Sequence, residues 1–219
     1  MRKTIYSKFD KAAIASLPVV TFGGKIEVVL SAERCRQAVD FLLSRDILGI
    51  DTETRPSFKR GAHYTVSLLQ VATRDVCFLF RLKYTGMNSD ILRLLEDTTV
   101  PKIGLSLHDD IAMLHQVASF VPGYFIDLQK HVSEIGVEDL SLQKLYANFF
   151  GKKISKNQRL TNWDADILSE KQKVYAATDA WSCIMLYDEL MRLERTGDYD
   201  FVKVCSINSD SKVETDSTT

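Results

Sequence analysis

Asp51 and Glu53 stand two residues apart at the end of the apolar run ILGIDTE, and Tyr175 and Asp179 stand four apart within KQKVYAATDAWSCIMLYDEL. On a strand, residues two apart project from one face, so the first pair presents two carboxylates side by side. On a helix, four residues is just over one turn, so the second pair puts a phenol and a carboxylate on a shared face. Asp110 follows PKIGLSL at the head of DDIAMLHQV and adds a further acid to the series. Grouped carboxylates suit hard divalent cations bound through oxygen. Taken singly, each residue also has an ordinary structural reading. Asp51 and Glu53 read as a solvated strand end, Asp110 as a cap or dipole partner of its helix, Asp179 as a surface acid, and Tyr175 as a half-buried amphipathic side chain.

The elements that must position these residues are legible in the periodicity. Residues 1 to 18 read as an irregular lead-in. VVTF and KIEVVL read as two short strands around a tight turn at Gly23-Gly24. SAERCRQAVDFLLSR reads as a helix with Ser31 as its N-cap. ILGIDTE suits a buried strand, with YTVSLLQVAT and DVCFLF as its neighbours across a turn at Thr73-Arg74-Asp75. SDILRLLED reads as a helix, PKIGLSL as a short strand, DDIAMLHQVASF as a helix and YFIDL as a strand end. Helices are expected over roughly 128–135 and 140–150, and a long one from about Ser169 to Arg195. Strands first, then strands alternating with helices, argue for one mixed α/β domain. The expected divisions are an N-terminal arm over 1–24, the domain over 25–196 and a disordered tail over 197–219.

The series is specific in its order: D-x-E on a strand, an aspartate after a later strand, then Y-x-x-x-D on a late helix. With LGIDTET, VSLLQVAT, PKIGLSLHDDIAML, FIDLQ, LSLQKLYANFFGKKISK and NWDADILSEKQKVYAATDAW, it resembles the DEDDy group of 3′–5′ exonucleases. This is the DnaQ-like branch of the ribonuclease H-like fold, nearest the ribonuclease D and Werner-helicase exonuclease type. The likeness runs from about residue 25 to 194. It implies a mixed central sheet flanked by helices and hydrolysis of phosphodiester bonds from the 3′ ends of single-stranded DNA or RNA. It also implies two divalent cations, Mg²⁺ or Mn²⁺. Asp51, Glu53 and Asp179 would hold the first cation, Asp51 would bridge to the second beside Asp110, and Tyr175 would orient the attacking water. Counting from Lys102-Ile103-Gly104 places the family aspartate at Asp110 and leaves Asp109 as the helix cap.

Two cationic stretches are candidates for phosphate contact. GKKISKNQR carries Lys152, Lys153, Lys156 and Arg159 with no acid between them, which suits either a solvated loop or a strand-binding surface. Arg55, Lys59, Arg60 and His63 follow the first motif. Asn162-Trp163 matches the family's Asn-Trp position, with Trp163 expected as a packing anchor. Where many relatives carry an aromatic residue after the motif glutamate, this chain has Thr54, then Arg55 and Pro56.

Bulk composition sets bounds. The 219 residues suit one domain, 45% hydrophobic and 26% charged, as in soluble globular proteins. With 28 basic and 29 acidic residues the net charge is −1, so attraction to a polyanion must be local. Cys35, Cys77, Cys183 and Cys205 show no CxxC spacing and are expected as buried thiols in a reducing compartment. No apolar run is long enough to span a membrane or act as a secretory signal, so a cytoplasmic location and no membrane partner are expected. Protein partners are not indicated. Two alternatives to the exonuclease stay open here: a catalytically silent binding module on the same fold, and a nuclease that scavenges short oligonucleotides.

Overall fold

The apolar run before Asp51 lies in the middle of a six-stranded sheet. The computed structural model describes residues 2–58, 61 and 63–204. In chain order these form β1 (Lys3–Tyr6), the single turn α1 (Lys11–Ile14), β2 (Val19–Val20), β3 (Lys25–Val29), α2 (Ala32–Leu42) and β4 (Leu48–Thr54). Next come β5 (Val66–Ala72), β6 (Val76–Arg81), the short α3 (Leu82–Thr85), α4 (Ser89–Glu96), β7 (Lys102–Gly104) and α5 (Leu107–His115). The chain closes with β8 (Phe125–Asp127), α6 (Leu128–Glu134), α7 (Leu142–Phe150), β9 (Lys153–Ile154), α8 (Glu170–Thr196) and β10 (Tyr199–Val202).

The main sheet has the order β3-β6-β5-β4-β7-β8. Its β4-β5-β6 meander is antiparallel, while β3, β7 and β8 join in parallel. This is the mixed sheet flanked by helices that the motif order implied. The expected turn between β5 and β6 forms around Thr73, whose hydroxyl oxygen accepts from the Val76 amide at 3.0 Å and donates to the Asp75 carboxylate at 2.8 Å.

Strand alternation sorts the residues of β4. Leu48 and Ile50 enter a core cluster with Val39 and Leu42 of α2 and Ile91, Leu94 and Leu95 of α4. Gly49, Asp51 and Glu53 therefore face the opposite layer, which α8 covers. A second core lies there, where Leu186, Leu190 and Leu193 of α8 meet Leu145 and Phe149 of α7. The helix α8 begins with a capping box: the Ser169 hydroxyl accepts from the Gln172 amide, and the Gln172 side chain accepts from the Ser169 amide at 3.0 Å. Gly197, with φ +65°, ends it.

Three expectations are revised. VVTF and KIEVVL do not form a hairpin: β2 pairs with β9, and β3 pairs with β6. Gly24 serves close approach instead, since a Cβ there would stand 2.2 Å from the Asp75 carbonyl oxygen, which accepts from the Lys25 amide. Secondly, the N-terminal arm is integrated. Ile5 is fully buried, Tyr6 exchanges two hydrogen bonds with the Asn148 side chain, and the Phe9 amide donates to Asp139. Thirdly, the segment after Gly197 does not become irregular at once. Residues Tyr199–Val202 pair in parallel with β1, so the two ends of the described chain close one small sheet. The rest of the expected tail, from Cys205, lies outside the described residues. Cys35, Cys77 and Cys183 are buried free thiols, as expected, and Cys205 again lies outside. No helix among the described residues is long and apolar enough to cross a membrane.

Candidate active site

Asp51 and Glu53 meet Asp179 where α8 crosses the end of β4. One carboxylate oxygen from each of the three lies within 4.8 Å of the others. The meeting depends on a missing side chain. A Cβ on Gly49 would stand 1.9 Å from the carbonyl oxygen of Ala180, so only glycine lets the helix settle this close to the strand. The fully buried Ala176, Ala177 and Ala180 keep the same helix face thin.

Asp110 arrives from the other layer. It sits in the first turn of α5, and Thr52, between the two motif acids, donates its hydroxyl to the Asp110 carboxylate. The turn that aims α5 is built on Ser106, which has φ +62° and is the one non-glycine residue with positive φ among the described residues. Such a conformation costs roughly 1–2 kcal/mol for an L-residue. Asp127, at the end of β8, holds it by accepting from the Ser106 amide at 3.1 Å and the Leu107 amide at 2.9 Å. Asp127 is thus the cap of α5 from the neighbouring strand. Asp109, expected to cap that helix, instead lies within its first turn and its side chain is exposed. Tyr175 stands one turn before Asp179 on α8, with its hydroxyl placed to favour the charged Asp179 carboxylate. Its ring packs on Trp163 at 5.9 Å between centroids. Trp163 is fully buried, the packing anchor it was expected to be.

A family model described as 3′-5′ exonuclease matches residues 26–193. This chain belongs to the 3′–5′ exonuclease family. The bifunctional 3′-5′ exonuclease/ATP-dependent helicase WRN of Mus musculus is 29% identical over 191 residues, which cover 83% of this chain but 14% of that protein. A 3′-5′ exonuclease of Arabidopsis thaliana is 28% identical over 213 residues, covering 87% of this chain and 72% of its own length. The crystal structure of the Aedes aegypti Nibbler EXO domain superposes with a TM-score of 0.73 at 21% identity, covering 83% of this chain and 95% of that one. The shared fold is the ribonuclease H-like exonuclease domain.

In this candidate site the carboxylates are crowded and buried. Burial raises the Asp51 carboxyl well above its ordinary range, and the charges of Asp110, Asp179 and Glu53 raise it further. Burial and the Asp179 and Asp110 charges push Glu53 up to about 9. Burial likewise carries Asp179 up to about 7 and Asp110 up to about 6, against the hydrogen bonds from Tyr175 and Thr52 that favour their charged forms. Clustered buried carboxylates with such values want either protons or cations. The donor set is all hard oxygen, and its span suits a divalent ion of the Mg²⁺ or Mn²⁺ class. Another group, His131, Glu134 and Glu194, also brings ligand atoms within 4.8 Å, but Glu134 and Glu194 are exposed.

The residues expected to contact phosphate lie in different surroundings. The Arg159 charge acts to lower the Glu53 carboxyl, and the Lys156 ammonium that of Asp179, each against the larger effect of burial. Lys153 instead donates to the Ala15 carbonyl, and Lys152 is exposed. Arg55 stacks over the Tyr64 ring, 4.9 Å from its centroid, and His63 is exposed in the same loop. Lys59 and Arg60 lie outside the described residues. Sequence reading missed Gln70. It pairs across the strands with Asp51, is fully buried, and donates from Nε2 to the Asp51 carboxylate at 3.2 Å. A glutamine on a fully buried strand was the available signal. The structural parts played by Asp127 and Gly49 were also missed, although both fell inside the matched motifs.

Proposed function

We propose that this chain hydrolyses phosphodiester bonds from the 3′ end of DNA or RNA, using two divalent cations, Mg²⁺ or Mn²⁺, held by its carboxylates. The observation that carries this reading is the convergence of Asp51, Glu53 and Asp179 within 4.8 Å, with the Tyr175 hydroxyl against Asp179. Those three residues would hold one cation, and Asp51 with Asp110 would hold the other. When bound, the pair makes water a nucleophile near neutral pH and offsets charge on the attacking and leaving oxygens.

The chain's own groups do the rest. Burial raises the Tyr175 phenol above its ordinary value, and the charges of Asp179, Glu53 and Asp51 raise it further. Tyr175 therefore stays protonated and acts by orienting the attacking water through its hydroxyl, not as a base. Lys156 and Arg159, whose charges act on the acids, receive the substrate's phosphates. Thr52 and Gln70 keep Asp110 and Asp51 turned inward.

The test is degradation of 5′-labelled single-stranded DNA and RNA with Mg²⁺, Mn²⁺ or EDTA, comparing wild type with Asp179→Ala and Tyr175→Phe. The expected result is a cation-dependent ladder shortening from the 3′ end and lost in Asp179→Ala. Misplacing the water in Tyr175→Phe should slow turnover by about 10²-fold. Binding without cleavage under every cation would leave a nucleic-acid-binding module. Cleavage confined to the shortest oligomers would indicate a scavenger.

A further inference from the structure

Serine is an unexpected residue at the head of α5. Ser106 has φ +62° and ψ +35°, a region that glycine enters without strain, and its hydroxyl makes no cap bond to the helix it opens. A glycine would hold this turn at ease but would bring no hydroxyl. The Ser106 Oγ is used elsewhere: it accepts from Nε2 of Gln129 at 2.5 Å. The same nitrogen also donates to the Leu140 carbonyl, just before α7, at 3.3 Å.

Gln129 is itself fixed in place. It lies in the first turn of α6, where its backbone amide donates to Asp127 Oδ1 at 2.9 Å. That oxygen also accepts from the Ser106 amide, while Oδ2 accepts from the Leu107 amide. One carboxylate therefore heads both α5 and α6. The Gln129 side chain closes the ring by reaching from the second helix to the pivot of the first.

The cargo of α5 gives this ring its consequence. Asp110 stands four residues after Ser106, about 6 Å along the helix axis. A tilt of about 10° at the pivot moves its carboxylate by about 1 Å, enough to spoil a set of oxygen ligands. Thr52 holds the far end of that lever by donating to the Asp110 carboxylate, and the Ser106 turn holds the near end.

We propose that Gln129 is a positioning residue for the second cation. Through the Ser106 hydroxyl it fixes the tilt of α5, and with it the Asp110 carboxylate, without itself contacting cation or substrate. This inference rests on the exonuclease reading.

The test compares the full chain with Gln129→Leu, Ser106→Gly and the double variant. In EDTA, amide hydrogen exchange should quicken in the first turn of α5 in Gln129→Leu, with β4 and α8 unchanged. In the cleavage assay, the Mn²⁺ concentration for half-maximal rate should rise by about 10-fold or more, the effect of losing a group that orients a ligand. Excess Mn²⁺ should restore most of the rate, and KM for the strand should stay level, which a generally loosened fold would not allow. Because Gln129 acts through the hydroxyl, the double variant should need no more Mn²⁺ than Ser106→Gly alone, whereas independent effects would multiply. Unchanged exchange at α5 would overturn the proposal. So would a Mn²⁺ requirement within about 2-fold of wild type, or effects that multiply in the double variant. A wild type that cleaves under no cation fails the exonuclease reading, and exchange at α5 then decides whether Gln129 positions Asp110.

Discussion

The carbonyl oxygen of Ala180 lies 1.9 Å from where a Cβ on Gly49 would stand. Asp51 is two residues beyond that contact on β4, and Asp179 is the residue before it on α8. The carboxylates therefore meet because the strand and the helix touch backbone to backbone.

Gly49→Ala must push α8 outward, because the obstructing atom is a backbone oxygen rather than a flexible side chain. Overpacking of this kind costs about 1–3 kcal/mol. Thermal melts should show that loss. Cleavage should fall further, by about 10²-fold, since the groups that must meet move by a fraction of an ångström to an ångström. Unchanged melting with unchanged cleavage would show that the contact positions nothing.

Stability without cations should fall as pH rises. Glu53, with its value pushed up to about 9, and Asp179, up to about 7, hold protons that the unfolded chain releases near pH 4. Between those limits the folded state binds more protons than the unfolded state, so unfolding becomes easier with rising pH and levels off above about 9. Tm in EDTA should thus be lower at pH 8.5 than at pH 6, with a shallower slope in Asp179→Asn. Mg²⁺ should raise Tm more at pH 8.5, where cations compete with fewer protons. A slope that is flat, or identical in the variant, would contradict the coupled cluster.

Gln70→Leu separates stability from cation binding. The Gln70 Oε1 is buried without a hydrogen-bond partner, while its Nε2 holds Asp51. Replacing a half-satisfied amide by an apolar group of similar size should leave Tm level or raise it. Losing the group that orients a cation-binding carboxylate should weaken Mn²⁺ binding by about 10-fold or more. Calorimetric titration with Mn²⁺ reads the second effect, and an unaltered affinity would remove Gln70 from the site.

Salt dependence should sort the lysines and arginines. Each phosphate neutralised on a single strand contributes about 0.7 to the slope of log affinity against log salt. Lys156→Ala and Arg159→Ala should each lower the slope by about that amount, because the charge of each acts on a carboxylate of the cluster. Lys153→Ala should change it little, since that ammonium is bound to the Ala15 carbonyl. Anisotropy titrations between low and moderate salt measure this, and equal slopes for all three would place the strand elsewhere.

What was legible depended on how local the signal was. Strand and helix periods, the Ser31 cap and the Thr73 turn act within a few residues, and these formed where expected. The Gly23-Gly24 turn misled because glycine answers two needs, reversal and close approach, which look alike along a chain. Asp109 misled for a similar reason: the helix of Asp110 is capped from 20 residues away by Asp127, a partner no local pattern reveals. The arm and the first part of the tail looked irregular because each is short and polar. They are ordered by pairing with each other, Lys3 opposite Tyr199.

The sequence by itself determined the chemistry on offer: which acids and which tyrosine, on which elements, in an order that marks the family. Residue type and spacing suffice for that, because the strand and helix periods place side chains on a face without reference to anything distant. Tertiary structure alone decided how those groups meet. It set the Gly49–Ala180 contact that brings α8 onto β4 and the Gln70 amide against Asp51. These are contacts between residues far apart in the chain, and their energy arises only once the sheet has formed and the helix has packed against it.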